Sequence, residues 1–364
     1  MLLQRSTLPS AFRSCPFVAG PMITCTELFV GRKEALHTMT NAMVGAQPTS
    51  LNIVGERRVG KSSLLYHFYL TWQQHVCDRD HYVVIFLSLQ DARCQNRASF
   101  YQCIVQTLVQ HPHVQRKKSL SATLQGISTI DHASFAQVLE VFKQHRILPV
   151  LCLDEFEVLF KYHSEFDDQF YDHLRSLVDR NVLMLIVTSH KSLDYYREGD
   201  SVTSTFFNNG QTYHLDVFTD AEADELLLLP ASTVAGVQPA LRVDEQVLAR
   251  QWAGQHPYLL QLAAHSLCLA RLEGKALDKA RERFTIEQRR LFEPAMPAPV
   301  TVLPTVARWL LWSLPIRIGR LSRYAGNHFE DVKAWVMGIV VVVVLALLLL
   351  GLVKVSQVLS LLMK

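Results

Sequence analysis

The chain has 364 residues, 49% of them hydrophobic and 19% charged, with 36 basic against 33 acidic side chains for a net charge of +3. That length supports a sizeable core, as two domains or one with appendages, and the composition excludes a disordered, collagen-like or low-complexity chain. The balanced charge gives no global polybasic field, so nucleic acid is not indicated, and seven cysteines without a C-x-x-C pair read as reduced thiols, not as a disulfide frame or a zinc site.

Residues 1–26 form an N-terminal extension without the apolar h-region of a signal peptide, so the body is expected to stay in the compartment of its synthesis. From 27 to 218 strand-like and helix-like segments alternate. Residues 51–54, 82–89, 147–153 and 182–187 are continuous apolar runs of the kind buried on both faces of a parallel sheet. Amphipathic stretches near 62–77, 98–110, 135–145 and 168–179 separate them, which predicts an α/β fold with a doubly wound parallel sheet. Residues 219–292 read as purely helical, over 220–229, 244–252, 257–272 and 277–291, and predict a smaller helical lid domain. Asp167-Asp168 and Glu222-Asp224-Glu225 fall at expected helix starts, where acids complement the dipole.

Beyond the body, residues 293–305 hold four prolines, at 294, 297, 299 and 304, and read as a semi-rigid linker. In 306–333, Trp309 and Trp312 alternate with aliphatics and spaced arginines, a juxtamembrane amphipathic pattern. Residues 334–353 carry no charge and, at 1.5 Å per residue, would span roughly 30 Å as a helix, enough to cross a bilayer. Arg308, Arg317, Arg320, Arg323 and Lys333 precede this span, and Lys354 and Lys364 lie in the short tail 354–364. The bias predicts a single-pass membrane protein with a cytoplasmic body.

The sharpest motif is Gly55-Glu56-Arg57-Arg58-Val59-Gly60-Lys61-Ser62, followed by Ser63, a G-x-x-x-x-G-K-S loop between the first strand and the first amphipathic helix. Glycine permits the positive φ angles that turn backbone N–H groups around phosphate oxygens, and the helix N-terminus adds its dipole. Lys61 is expected to reach the β- and γ-phosphates of ATP, and Ser62 to offer its hydroxyl to Mg²⁺. About 90 residues on, the run Leu151-Cys-Leu ends in Asp154-Glu155, expected to hold the Mg²⁺ water shell and to polarise an attacking water respectively. The fourth apolar run ends in Thr188-Ser189-His190, where a polar group such as Ser189 could sense the γ-phosphate or simply cap the strand.

These residues, with Leu28-Phe-Val-Gly-Arg-Lys-Glu34, Asp154-Glu-Phe-Glu157 and Gln255-His-Pro-Tyr-Leu-Leu-Gln261, resemble the prokaryotic STAND-type ATPases of the AAA+ superfamily over about residues 16–290. Pro16–Pro21 and Ser204–Asn208 are similar to stretches of that group as well. The resemblance implies that Val30, Gly31 and Arg32 lie near the adenine, and that His256-Pro257, on a lid or winged-helix element, closes over the nucleotide. It also implies a homo-oligomerising switch that exchanges ADP for ATP and hydrolyses slowly, with an unidentified protein partner or sensor. The family's Gly-Gly-His-Pro appears here as Gly254-Gln-His-Pro257, none of Arg175, Arg180 and Arg197 stands out as a trans-acting finger, and there is no sensor repeat array. The expected function is a membrane-anchored ATP-hydrolysing switch; an AAA+-type motor near the membrane and a nucleotide-binding scaffold are the alternatives. His111-Pro-His113 reads as a surface loop, and no G-x-S-x-G elbow supports a hydrolase triad.

Overall fold

The computed structural model of the chain describes residues 15–125, 131–199 and 210–292. Five strands, β1 (Leu51–Val54), β2 (Tyr82–Ser88), β3 (Leu148–Asp154), β4 (Met184–Ser189) and β5 (Gln211–His214), pair in parallel in the order β2-β3-β4-β1-β5. The helices of this part are α1 (Lys33–Val44), α2 (Lys61–Thr71), α3 (Arg97–Gln110), α4 (Pro112–Arg116), α5 (Lys118–Gln125), α6 (His132–Gln144), α7 (Asp168–Asp179) and α8 (Leu193–Gly199). Four more follow: α9 (Asp220–Leu227), α10 (Val243–Ala253), α11 (Pro257–Leu272) and α12 (Leu277–Phe292).

Every residue of β1, β3 and β4 is buried, which is why these strands are apolar without alternation. The pleat divides them between two layers. Val83, Ile85, Leu151, Leu153, Leu185 and Val187 join Phe100, Phe135, Phe142 and Phe170 of α3, α6 and α7, while Val84, Val150, Cys152, Met184 and Ile186 meet Met39, Met43, Leu64 and Phe68 of α1 and α2. The sheet is thus covered on both faces, as the alternation of runs predicts. β5 has no counterpart among those runs, because Gln-Thr-Tyr-His is an exposed edge held by its ladder to β1.

A third core joins α9 to α12 through Leu226, Leu260, Ala263, Leu267, Ala280 and Phe284, and takes in Phe17, Val30 and Phe218 from outside the helices. α9 opens on a capping box, Thr219 with Glu222, and α7 on the Asp167 carboxylate, so both acidic stretches act as caps. His111 caps α4 and lies on no group of metal-ligating side chains among the described residues. Contacts divide the chain into a unit up to Ile286 and a second from Glu287. Among the described residues no helix is long and apolar enough to cross a membrane. The segments 293–305, 306–333, 334–353 and 354–364 all lie outside the described residues, as do residues 1–14 of the extension and 204–208.

Candidate functional site

Parallel pairing brings the C-terminal ends of the strands to one edge of the sheet, with β4 between β1 and β3. The chain leaves β1 into the loop 55–60 and enters α2 at Lys61, so the loop and the acids after β3 face a common space. That space is a cavity of ≈630 Å³ lined by Arg57, Arg58, Val59, Gly60, Lys61, Ser62 and Ser63, by Asp154, Glu155 and Glu157, and by Thr188 and His190. Gly60 has φ +102° with open space where a Cβ would stand, as a phosphate cradle requires. Gly55 is needed for a different reason: a Cβ there would lie 2.5 Å from the Leu215 carbonyl oxygen.

Lys61 Nζ donates to the carbonyl oxygens of Gly55 at 2.6 Å and Glu56 at 2.8 Å, and lies 3.3 Å from His190 Nδ1. Burial pulls its pKa down against the opposing charges of Glu157, Asp154 and Glu155. Asp154 is 6% exposed, and its Oδ1 accepts a 2.6 Å hydrogen bond from the Thr188 hydroxyl. The same hydroxyl accepts from the Glu155 N–H at 3.0 Å, so one side chain of β4 fixes both acids. Burial and the neighbouring Asp154 charge push the Glu155 carboxyl above its ordinary pKa, which strengthens it as a base. Gln90, just past β2, hydrogen-bonds to it.

Ser189 has a different place from the expected one. It is fully buried, with its hydroxyl 3.0 Å from Asn52 Oδ1 and 2.6 Å from the Lys191 carbonyl oxygen, so it joins β4 to β1 and does not line the cavity. Strand side chains alternate, so the residues that reach the cavity are its neighbours Thr188 and His190. Burial and the charges of Lys61 and Arg57 push the His190 imidazole down to about 4, so it is neutral at pH 7. Its Nε2 lies 3.4 Å from Glu157 Oε1, and burial raises the pKa of that carboxyl.

The rest of the lining comes from the segment before α1 and from the helical part. Val30 and Arg32 line the cavity, whereas Gly31, at φ +68°, turns the chain against α9 so closely that a Cβ would meet Glu222 Cγ at 2.8 Å. Glu222 accepts from the Arg32 N–H with one oxygen and from the Thr219 N–H with the other. The Arg32 guanidinium donates to the Val59 carbonyl at 3.1 Å and lies 4.6 Å over the Phe218 ring. His256 is the N-cap of α11, its Nδ1 facing the Leu259 N–H, and is not a lining residue, while Pro257, Tyr258 and Gln261 are. Arg58 stands 4.4 Å over the Tyr258 ring. A strap crosses between the walls: Val18 N–H donates to Gln261 Oε1 at 2.9 Å and Ile23 N–H to the Ser63 hydroxyl at 3.1 Å.

Sequence reasoning did not single out Thr188, His190, Glu157, Gln90, Tyr258 or Glu222 in these roles. Thr188 and His190 carried a signal by their place at a strand end, Glu157 and Tyr258 by their place in quoted motifs, and Glu222 as a helix-start acid, whereas Gln90 carried none. Of the candidate trans-acting arginines, Arg175 lies 3.4 Å from Asp179, Arg180 pairs with Glu140, and the Arg197 side chain lies outside the described residues. For a metal, the Ser62 hydroxyl and the Asp154 carboxylate are hard oxygen donors suited to Mg²⁺. No group of three His, Cys, Asp or Glu side chains among the described residues could hold an ion, so the fit is to a cation that takes further ligands from phosphate and water.

A five-stranded parallel sheet in this order, with the phosphate loop after β1 and the acid pair after β3, defines a P-loop nucleoside triphosphatase fold of the AAA+ type. The chain belongs to the family of AAA-like domains, whose model matches residues 17–291. Among solved structures it is similar to the Walker-type ATPase of Pyrococcus abyssi, at 16% identity and a TM-score of 0.53 over 89% of this chain and 92% of that one. It is also similar to the Aeropyrum pernix ORC2 protein in its ADPNP–ADP complexes, at 13% identity and a TM-score of 0.50 over 85% and 77%. The A. pernix ORC1 protein, solved in complex with DNA, matches at 14% identity and a TM-score of 0.46 over 96% and 89%. No curated protein matches the sequence.

Proposed function

We propose that this protein is an ATP-binding and ATP-hydrolysing switch of the STAND type, anchored in a membrane by residues 334–353 with its ATPase body in the cytoplasm. The observation that carries the reading is the cavity's construction: the phosphate loop and the acids line it together with residues of α9 and α11, and Arg32 on Glu222 and Arg58 over Tyr258 tie these parts to one another. A ligand that touches both parts draws them together, which is how nucleotide state becomes body shape.

The backbone N–H groups of the loop and the α2 N-terminus hold the phosphates, and Lys61 turns from its own loop carbonyls to the β- and γ-phosphates. Ser62 and Asp154 hold Mg²⁺, which supplies charge neutralisation on the phosphate oxygens. Glu155 takes the proton of the attacking water. Val30, Arg32, Phe218, Pro257 and Tyr258 form the side where the purine and ribose fit, and a change there alters the surface offered to other copies. Because ADP and ATP differ only at the phosphate end, assembly follows the γ-phosphate, and homo-oligomers cluster the membrane segments or recruit a membrane partner.

The test is to size the detergent-solubilised full chain with ADP and with ATP while recording hydrolysis. Slow turnover with ATP-dependent assembly supports the switch; fast turnover raised by added protein or DNA defines a motor instead. Lys61→Ala is expected to weaken nucleotide binding at least about a hundredfold, and Glu155→Gln to keep ATP bound while slowing hydrolysis by about 10²-fold or more. Deleting residues 334–364 is expected to release the body from membranes; a truncated chain that still pellets with them overturns the anchor.

A further inference from the structure

An ammonium has three protons, and those of Lys61 have three acceptors within the chain itself. Two are the loop carbonyls of Gly55 and Glu56, and the third is His190 Nδ1. A phosphate oxygen can be served by Lys61 only by displacing one of them. For His190 Nδ1 to accept, its proton must sit on Nε2, and that nitrogen faces Glu157 Oε1 at 3.4 Å. A carboxylate facing that nitrogen favours the tautomer that makes His190 an acceptor. Its other oxygen, Oε2, is buried without a hydrogen-bond partner, a cost that a residue present for packing alone would avoid.

We propose that Glu157, acting through His190, is a positioning residue that holds Lys61 against its own loop and so weakens the site's grip on the phosphates of ADP and ATP alike. The inference rests on the nucleotide-binding reading of this cavity. The restraint acts on the lysine, which serves the β-phosphate in both nucleotides, and not on the γ-phosphate. It sets exchange: a site that must break a self-made contact to bind also releases ADP more readily, which a switch reset by exchange requires. The charges that face His190 agree with an accepting imidazole. Lys61 and Arg57 lie on the loop side and Glu157 on the 3₁₀ turn after β3, and the two cations disfavour a second ring proton.

The test measures ATP and ADP affinity by titration calorimetry, in Mg²⁺ buffer, for the full-length wild type and the variants His190→Ala, Glu157→Ala and Glu157→Gln. Both alanine variants are expected to bind ADP and ATP about three- to tenfold more tightly, the effect of losing one charge-assisted hydrogen bond that water partly replaces. ADP should also dissociate faster from the wild type than from either. Glu157→Gln keeps an oxygen for His190 Nε2–H and should recover most of the wild-type value. Equal or weaker affinity for both nucleotides in folded alanine variants overturns the inference. A change confined to ATP overturns it too, by assigning His190 to the γ-phosphate. A wild type that binds neither nucleotide removes the functional reading itself, and this inference with it.

Discussion

The sheet region packs its strands between two apolar layers whose centres are large side chains, Phe100, Phe135, Phe142 and Phe170 on one face and Met39, Met43 and Phe68 on the other. The helices α9 to α12 share a core built largely of leucine and alanine, with Phe17, Phe218 and Phe284 among its larger side chains. Between the two stand polar ties, the Arg32 N–H on Glu222 and Arg58 over Tyr258, with the strap residue Val18 on Gln261, and beside them Phe17, Val30 and Phe218 are buried in the helical core. Each tie is worth about 1 kcal/mol, whereas either core is held by many buried side chains of about 1.5–3 kcal/mol each. The weakest joints of the molecule are therefore the ties between its two regions. On the proposed reading, a nucleotide would act on these ties and on the few side chains buried beside them, which cost less to disturb than either core.

Breaking the cores is the largest perturbation and tests whether they are separate. Phe142→Ala is expected to cost about 3–5 kcal/mol and to lower the denaturant midpoint of the sheet region. Leu260→Ala is expected to cost about 2–4 kcal/mol. Hydrogen exchange should then show α9 to α11 opening while β3 and β4 keep their protection. If protection falls equally in both regions, the two cores are one cooperative unit and the comparison fails.

A smaller effect sharpens the role of the ties. Glu222→Ala removes the capping box of α9 and the Arg32 contact together, for about 1–2 kcal/mol. Gly31→Ala forces a Cβ into Glu222 at a positive φ, for about 1–2 kcal/mol in strain. Because the clash is with the Glu222 side chain, the double variant should lose measurably less than the sum. Strict additivity in urea denaturation would show that Gly31 is needed for its backbone angle alone.

The smallest effect is a pH dependence centred on His67 within α2. His67 stacks on Phe29 with ring centroids 4.0 Å apart, and burial, with a lesser push from His75, lowers its imidazole from 6.5 to about 4. A base whose folded pKa is depressed takes up its proton first in the unfolded chain. Its contribution to stability is whole above about pH 6.5 and is lost as the pH falls toward about 4. Urea midpoints at pH 7 and pH 5 should differ less in His67→Phe than in the wild type.

The four apolar runs became β1 to β4 within two residues of their expected ends, since strands buried on both faces announce themselves without any partner in view. The phosphate loop was equally legible: its glycines, lysine and serine are adjacent, and their chemistry is local. β5 was not, because a polar edge of four residues has no pattern of its own until β1 pairs with it. Helix α1 lacks an initiating cap side chain, as Arg32 at its N-cap position takes a left-handed conformation, so its start carried little signal.

An α/β alternation, a phosphate loop, an acid pair and an apolar segment at 334–353 can each be read from residues adjacent in the chain. Which of these groups meet depends on packing. The ladder register puts Thr188 on Asp154, and the pleat sends Ser189 the other way, toward Asn52. Glu222 reaches Arg32 from 190 positions away and Gln261 reaches Val18 from 243. Neighbouring residues carry their chemistry with them, but contacts at such separation exist only after the sheet and the helices have packed, because no local preference encodes the direction of approach.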